Sequence, residues 1–226
     1  DDNRMKAEYA LSHRSALYRI TFEADKPVYI IINSRNGSIH VGENFISGHQ
    51  QLSDNTNVYV YIEPQEKPVS TGVLENGVIE ASKDNANGTN ACAAWRFADG
   101  TTTINLRYGI SFISEEQAEK NLRSELGDYD INKLAETGRR IWNEALGRIK
   151  VEGGTENDKT VLYSSFYRTF ERPICMSEDG GLYFSAFDGK VHNDNGIPFY
   201  TDDWIWDTYR AAHPLRTLID RKKEED

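Results

Sequence analysis

Cysteine is nearly absent, with Cys92 and Cys175 the only two in 226 residues. No metal-ligand spacing flanks either one, so neither a zinc site nor a disulfide framework is implied, and two buried free thiols are expected. Positive charge is also short: 26 Lys and Arg stand against 36 Asp and Glu, a net charge of −10. Such a field repels phosphate backbones and argues against nucleic acid as a partner. It is compatible with neutral substrates and with cations such as calcium. No apolar run approaches the roughly 20 residues of a membrane span. The opening DDNRMKAEYA lacks the basic stretch and apolar core of a signal peptide.

What is present is a change of period along the chain. In KAEYALS, alternation puts Ala7, Tyr9 and Leu11 on one face, and SALYRITF does the same for Ala16, Tyr18, Ile20 and Phe22. PVYIIIN, NVYVYIE, GVIEAS, ACAAWRFA and TTTINLRYGISF continue the series. NSRNGS, ENG and KDNANGTN separate them and read as turns, because Asn and Gly accept positive φ cheaply. Short strands at roughly ten-residue intervals predict an antiparallel β-sandwich.

From Ser114 the period becomes helical. Ser114 and Gln117 have capping-box spacing, and Ala118, Leu122 and Leu126 recur every fourth residue. A second helix is predicted through DINKLAETGRRIWNEALGRIKV, with Leu134, Ile141, Ala145 and Ile149 on its apolar stripe. Gly153 and Gly154 stop it, and Thr155 with Asp158 starts a third helix carrying Val161, Leu162, Phe166 and Phe170. A hairpin follows, turning at Gly180-Gly181 and Asp188-Gly189. A last helix begins at Asp202 or Asp203 and breaks before Pro214, which cannot sit inside a continuous helix. The order predicts a multidomain chain, β then α: a β-sandwich over 1–112, helical linker over 113–154 and a further helical unit from 155 to 226.

The segment FYTDDWIWDTYRAAHPLRTLID carries the chemistry. On one helix Asp203, Asp207 and Arg210 share a face, with Trp206 beside them. Pyranose recognition needs a flat aromatic surface for the C–H face of the ring and charged groups for its rim of hydroxyls. Singly, the same residues are ordinary: Asp203 an N-cap, Asp207 and Arg210 a helical ion pair, Trp206 a core residue. His192 reads as a loop histidine, His213 as a helix-junction residue and Asp188 as a turn residue.

FDGKVH followed by FYTDDWIWDTYRAAHPLRTLI resembles family 92 of the glycoside hydrolases, the calcium-dependent exo-acting α-mannosidases. YGISFISEEQAEKNLRSEL resembles that family's interdomain junction, and SHRSALYRITF a strand pair of its N-terminal sandwich. The resemblance implies a β-sandwich, linker helices and the first helices of an (α/α)6 barrel, here truncated. It implies an inverting mechanism, a mannose-containing glycan as substrate, and export to a bacterial periplasm, cell surface or medium. Trp206, Asp207, Arg210 and Asp203 would bind substrate, with Arg210 orienting Asp207 or bonding a hydroxyl itself. The catalytic acid and base and the calcium ligands are expected in the remainder of a longer parent chain, so this segment alone should be inactive. The rival expectation is a non-catalytic carbohydrate-binding or interaction protein.

Overall fold

A computed structural model describes residues 5–23, 26–201 and 205–226. Nine strands form one antiparallel sheet: β1 (Lys6–Leu11), β2 (Ser15–Thr21), β3 (Tyr29–Val41), β4 (Ile46–Ser53), β5 (Thr56–Pro64), β6 (Ser70–Glu75), β7 (Val78–Glu80), β8 (Asn85–Arg96) and β9 (Thr103–Ser111). Their order is β1-β2-β9-β5-β4-β3-β8-β6-β7. In that order β9 and β8 stand four strands apart, roughly 19 Å in a flat sheet. Yet Ile104 and Leu106 of β9 share one core with Trp95 of β8 and Val73 of β6. The sheet must therefore curl over itself, and its concave face is the main core.

The convex face takes a helix, α1 (Glu115–Glu125). Ser114 caps it, accepting from the backbone N–H of Gln117 at 3.1 Å, while the Gln117 side chain turns away and donates to Asn121 instead. Ala118, Leu122 and Leu126 are buried as their spacing predicted, against Ala10, Leu17 and Tyr61. Gly109 in β9 permits the close approach: a Cβ there would stand 2.3 Å from the Ala118 carbonyl oxygen and 2.9 Å from Leu122 Cβ. Gly109→Ala therefore costs about 1–3 kcal/mol through overpacking, read as a lower denaturant midpoint at unchanged slope.

A charged clamp fastens the same helix. Glu63 of β5 lies directly opposite Arg107 of β9 and is nearly buried. Arg107 Nε donates to it at 2.5 Å, and Arg123 of α1 grips both carboxylate oxygens at 2.6 and 2.7 Å. Arg107 also donates to the carbonyl of Leu126, at the end of α1, at 2.8 Å, and lies 4.8 Å from the Tyr129 ring centroid. Burial works against the Glu63 charge, but the two guanidinium groups outweigh it and hold its pKa below the ordinary value. Burial, and after it the neighbouring carboxylates, push the Tyr61 and Tyr129 phenols up to about 12.

Two expected turns are not turns. Asn33–Ser38 runs inside β3, and residues 85–90 run inside β8. Gly37 pairs with Gly88 two residues on from the Arg35–Asn90 pair, and Asn36 and Gly88 take positive φ. Asn-Gly here marks a local irregularity in a long strand pair rather than its end. Asn76-Gly77, by contrast, does close the β6–β7 hairpin, with φ of 50° and 81°. In β1 the alternation holds, but Tyr9 and Leu11 are exposed and it is Ala10, on the other face, that is buried.

The chain divides into two compact units, the first running to Glu136 and including Phe184–Val191, the second comprising Thr137–Tyr183 and His192–Asp226. Helix α2 (Ile131–Leu146) crosses that boundary in sequence and is followed by α3 (Glu156–Arg168). Thr155 and Asp158 form a reciprocal capping box at the start of α3. Trp142 of α2 packs on Tyr167 at 4.5 Å and on Phe170 at 5.9 Å. The predicted stripes are only partly buried: Phe166 is enclosed, whereas Ile141, Val161 and Leu162 are exposed, and Ile149 lies beyond the end of α2. Cys92 and Cys175 are half-buried and form no disulfide.

Candidate functional site

After α3 the second unit continues through β10 (Ile174–Cys175), which pairs with β13 (Tyr200–Thr201). Between them β11 (Leu182–Ser185) and β12 (Lys190–Asn193) form the expected hairpin. Asp188 is its turn residue, accepting from the Lys190 N–H at 3.2 Å. His192 is a strand residue rather than a loop residue; its ring stacks on Tyr183, which in turn stacks on Phe199 at 4.1 Å.

The signature segment then forms α4 (Ile205–Thr208), α5 (Ala212–Ile219) and α6 (Arg221–Glu225). Pro214 stands in the first turn of α5, where its missing N–H has no helical partner to lose. The break expected before it lies at residues 209–211. Asp202 and Asp203, the expected cap and one expected sugar ligand, lie outside the described residues.

Trp206 is 91% exposed, and Asp207 beside it is exposed too. An indole and a carboxylate thus stand next to each other in solvent on one short helix. Arg210 does not extend that helical face, because α4 ends at Thr208. Its guanidinium instead lies over the Tyr209 ring, 5.5 Å from the centroid, and Nε donates to the Tyr209 hydroxyl at 2.7 Å. The expected shared helical face of Asp207 and Arg210 is not formed, because the turn at residues 209–211 follows α4 directly.

Beneath this segment lies a polar network. His213 Nδ1 meets Glu224 Oε1 at 2.5 Å and Nε2 meets Thr208 Oγ1 at 2.9 Å. Arg216 approaches the other Glu224 oxygen at 3.5 Å and donates to the Arg172 carbonyl at 3.0 Å. His213 is therefore a junction residue, as its place before Pro214 suggested. Its partners were not legible: Thr208 is five residues back and Glu224 eleven ahead, and neither spacing is a helical repeat across a break. A cavity of about 70 Å³ lies beside it, lined by Phe170, Tyr200, Arg216, Ile219 and Lys223 among others.

Calcium takes six to eight oxygen ligands. Among the described residues no three His, Cys, Asp or Glu side chains gather to hold a metal ion. These residues therefore do not by themselves fit a calcium site.

Residues 1–111 match the glycosyl hydrolase family 92 N-terminal domain, and residues 117–226 match the family 92 catalytic domain. The chain belongs to glycosyl hydrolase family 92. An inverting family 92 mannosidase of Bacteroides thetaiotaomicron is 28% identical, with a TM-score of 0.84 over 94% of this chain and 30% of its own. A family 92 α-mannosidase of the same organism has a TM-score of 0.85 at 22% identity, over 97% of this chain and 32% of its own. A secreted glycosidase of Arthroderma benhamiae, otherwise uncharacterized, is 31% identical over 102 residues, 40% of this chain and 13% of its own. The chain thus spans about a third of the solved structures and a smaller share of the curated relative. The sheet corresponds to the family's N-terminal β-sandwich and the later helices to the start of its helical domain.

Proposed function

We propose that this chain is part of an exo-acting, inverting α-mannosidase that removes terminal α-linked mannose from glycans. The observation that supports it most is the 28% identity to an inverting mannosidase over 94% of this chain. Its domains run as a β-sandwich over 1–112, a linker over 113–154 and the first helices of an (α/α)6 barrel from 155. Apolar side chains exposed in the second unit, among them Val161 and Leu218, are covered in this reading by the remaining barrel helices of a longer chain. The isolated segment is inactive, because its catalytic acid and base lie in that remainder.

In the site, Trp206 covers the C–H face of the mannose ring. Asp207 accepts hydrogen bonds from ring hydroxyls, Arg210 donates to one, and Asp203 completes the rim. Inversion needs two carboxyl groups, one protonating the leaving oxygen and the other activating a water on the opposite face. The calcium ligands belong in this reading to the remainder of the longer chain, where the ion would supply charge stabilisation. A periplasmic, cell-surface or secreted location fits a glycan-degrading enzyme, and the Arthroderma relative is described as secreted.

The test is mannose release from a panel of α-linked mannobioses by the full-length gene product, with calcium and with a chelator. Release that the chelator abolishes is the expected result, and the substrate cut names the linkage. A folded product that binds mannosides but releases nothing is a non-catalytic carbohydrate-binding protein.

A further inference from the structure

Helix α4 is poorly placed to hold itself in position. It has four residues, and none of them is buried. One turn of helix is far below the length at which a helix is stable alone. Its side chains Ile205 and Trp206 face solvent, so packing does not fix its orientation. What the structure provides instead is a tether at its last residue. The Thr208 hydroxyl meets His213 Nε2 at 2.9 Å, and the same ring meets Glu224 through Nδ1 at 2.5 Å.

The chemistry of the ring gives the tether a direction. The Glu224 carboxylate only accepts, so Nδ1 carries the proton, and in the neutral ring Nε2 accepts from the Thr208 hydroxyl. Glu224 is held in turn by Arg216, which also donates to the Arg172 carbonyl just after α3. The Thr217 hydroxyl donates to the His213 carbonyl at 2.9 Å and steadies the ring's own backbone. One imidazole thus joins α4 and α6 to α5, and Arg216 of α5 ties the segment after α3 to the same network.

We infer that His213 is a positioning residue: through Thr208 it sets the orientation of α4, and with it the Trp206–Asp207 pair that meets the sugar. The inference rests on the reading of Trp206 and Asp207 as substrate-binding residues. Misplacing a bound substrate by about 1 Å costs up to about 10²-fold in rate, so the tether governs catalytic efficiency without touching substrate.

The experiment compares Thr208→Val, which keeps the shape and removes the hydroxyl, with Thr208→Ser, which keeps the hydroxyl. Steady-state kinetics on the cleaved mannobiose are measured for the full-length gene product well below its melting temperature, with Asp207→Ala alongside. Thr208→Val is expected to lower kcat/KM roughly 10- to 100-fold with KM clearly raised, and Thr208→Ser to restore both. His213→Ala should reproduce the KM effect. A merely structural tether lowers the active fraction, and so kcat, at unchanged KM; that result, or wild-type kinetics in Thr208→Val, overturns the inference while Asp207→Ala remains dead. An active Asp207→Ala overturns the substrate-binding reading and the inference together.

Discussion

Asp207→Ala in the full-length gene product is expected to lose turnover of α-mannosides while keeping its fold. Hydrogen bonds to ring hydroxyls that strengthen toward an oxocarbenium-like transition state supply several kcal/mol, which sets the loss on the order of 10³-fold or more in kcat/KM. Asp207 is exposed, and exposed substitutions away from special features change stability by about 0.5 kcal/mol or less. The melting temperature should therefore stay put while activity disappears. Unchanged turnover removes Asp207 from the site.

The second large effect falls on stability. Glu63→Gln leaves Arg107, 13% exposed at its side chain, without its carboxylate, and removing one partner of a buried pair costs about 3–5 kcal/mol. Arg123 is 43% exposed and water can solvate it, so the low end, about 3 kcal/mol, is expected. For a chain of this size that is a fall of roughly 6–12 °C in melting temperature. The effect depends on acidity with a definite sign. The Glu63 pKa in the folded protein lies below the ordinary 4.5, so the unfolded chain takes up the proton first and acid favours unfolding. The stabilisation is fully present above pH 4.5 and is lost as pH falls through the folded-state pKa. The gap between wild type and Glu63→Gln should narrow over that same range. A gap that widens in acid, or no gap at neutral pH, contradicts the clamp.

Local punctuation in the sequence was read well wherever a single short-range rule decides. Ser114, the Thr155–Asp158 box, the Asn76-Gly77 turn and the break before Pro214 depend on a few neighbouring residues, and all stand in the structure. The misses are long-range. Asn36-Gly37 looked like a turn because the same φ serves a strand irregularity, and only the pairing of β3 with β8 decides which it is. Glu63, Arg107 and Arg123 are separated by up to 60 residues, so nothing in the local pattern announces the clamp. Periodicity found the apolar faces of α2 and α3 but not their partners, and Ile141 and Val161 remain open. Trp206 and Asp207, adjacent in sequence, both stand exposed on α4. Arg210 was misplaced because helical spacing was carried across a break at residues 209–211.

Proton NMR of the first mannose released from an α-linked mannobiose by the full-length gene product tests the central claim most directly. An inverting α-mannosidase delivers the β-anomer first, which then mutarotates, and that is the expected spectrum. The α-anomer appearing first, or no mannose from a folded product, contradicts it.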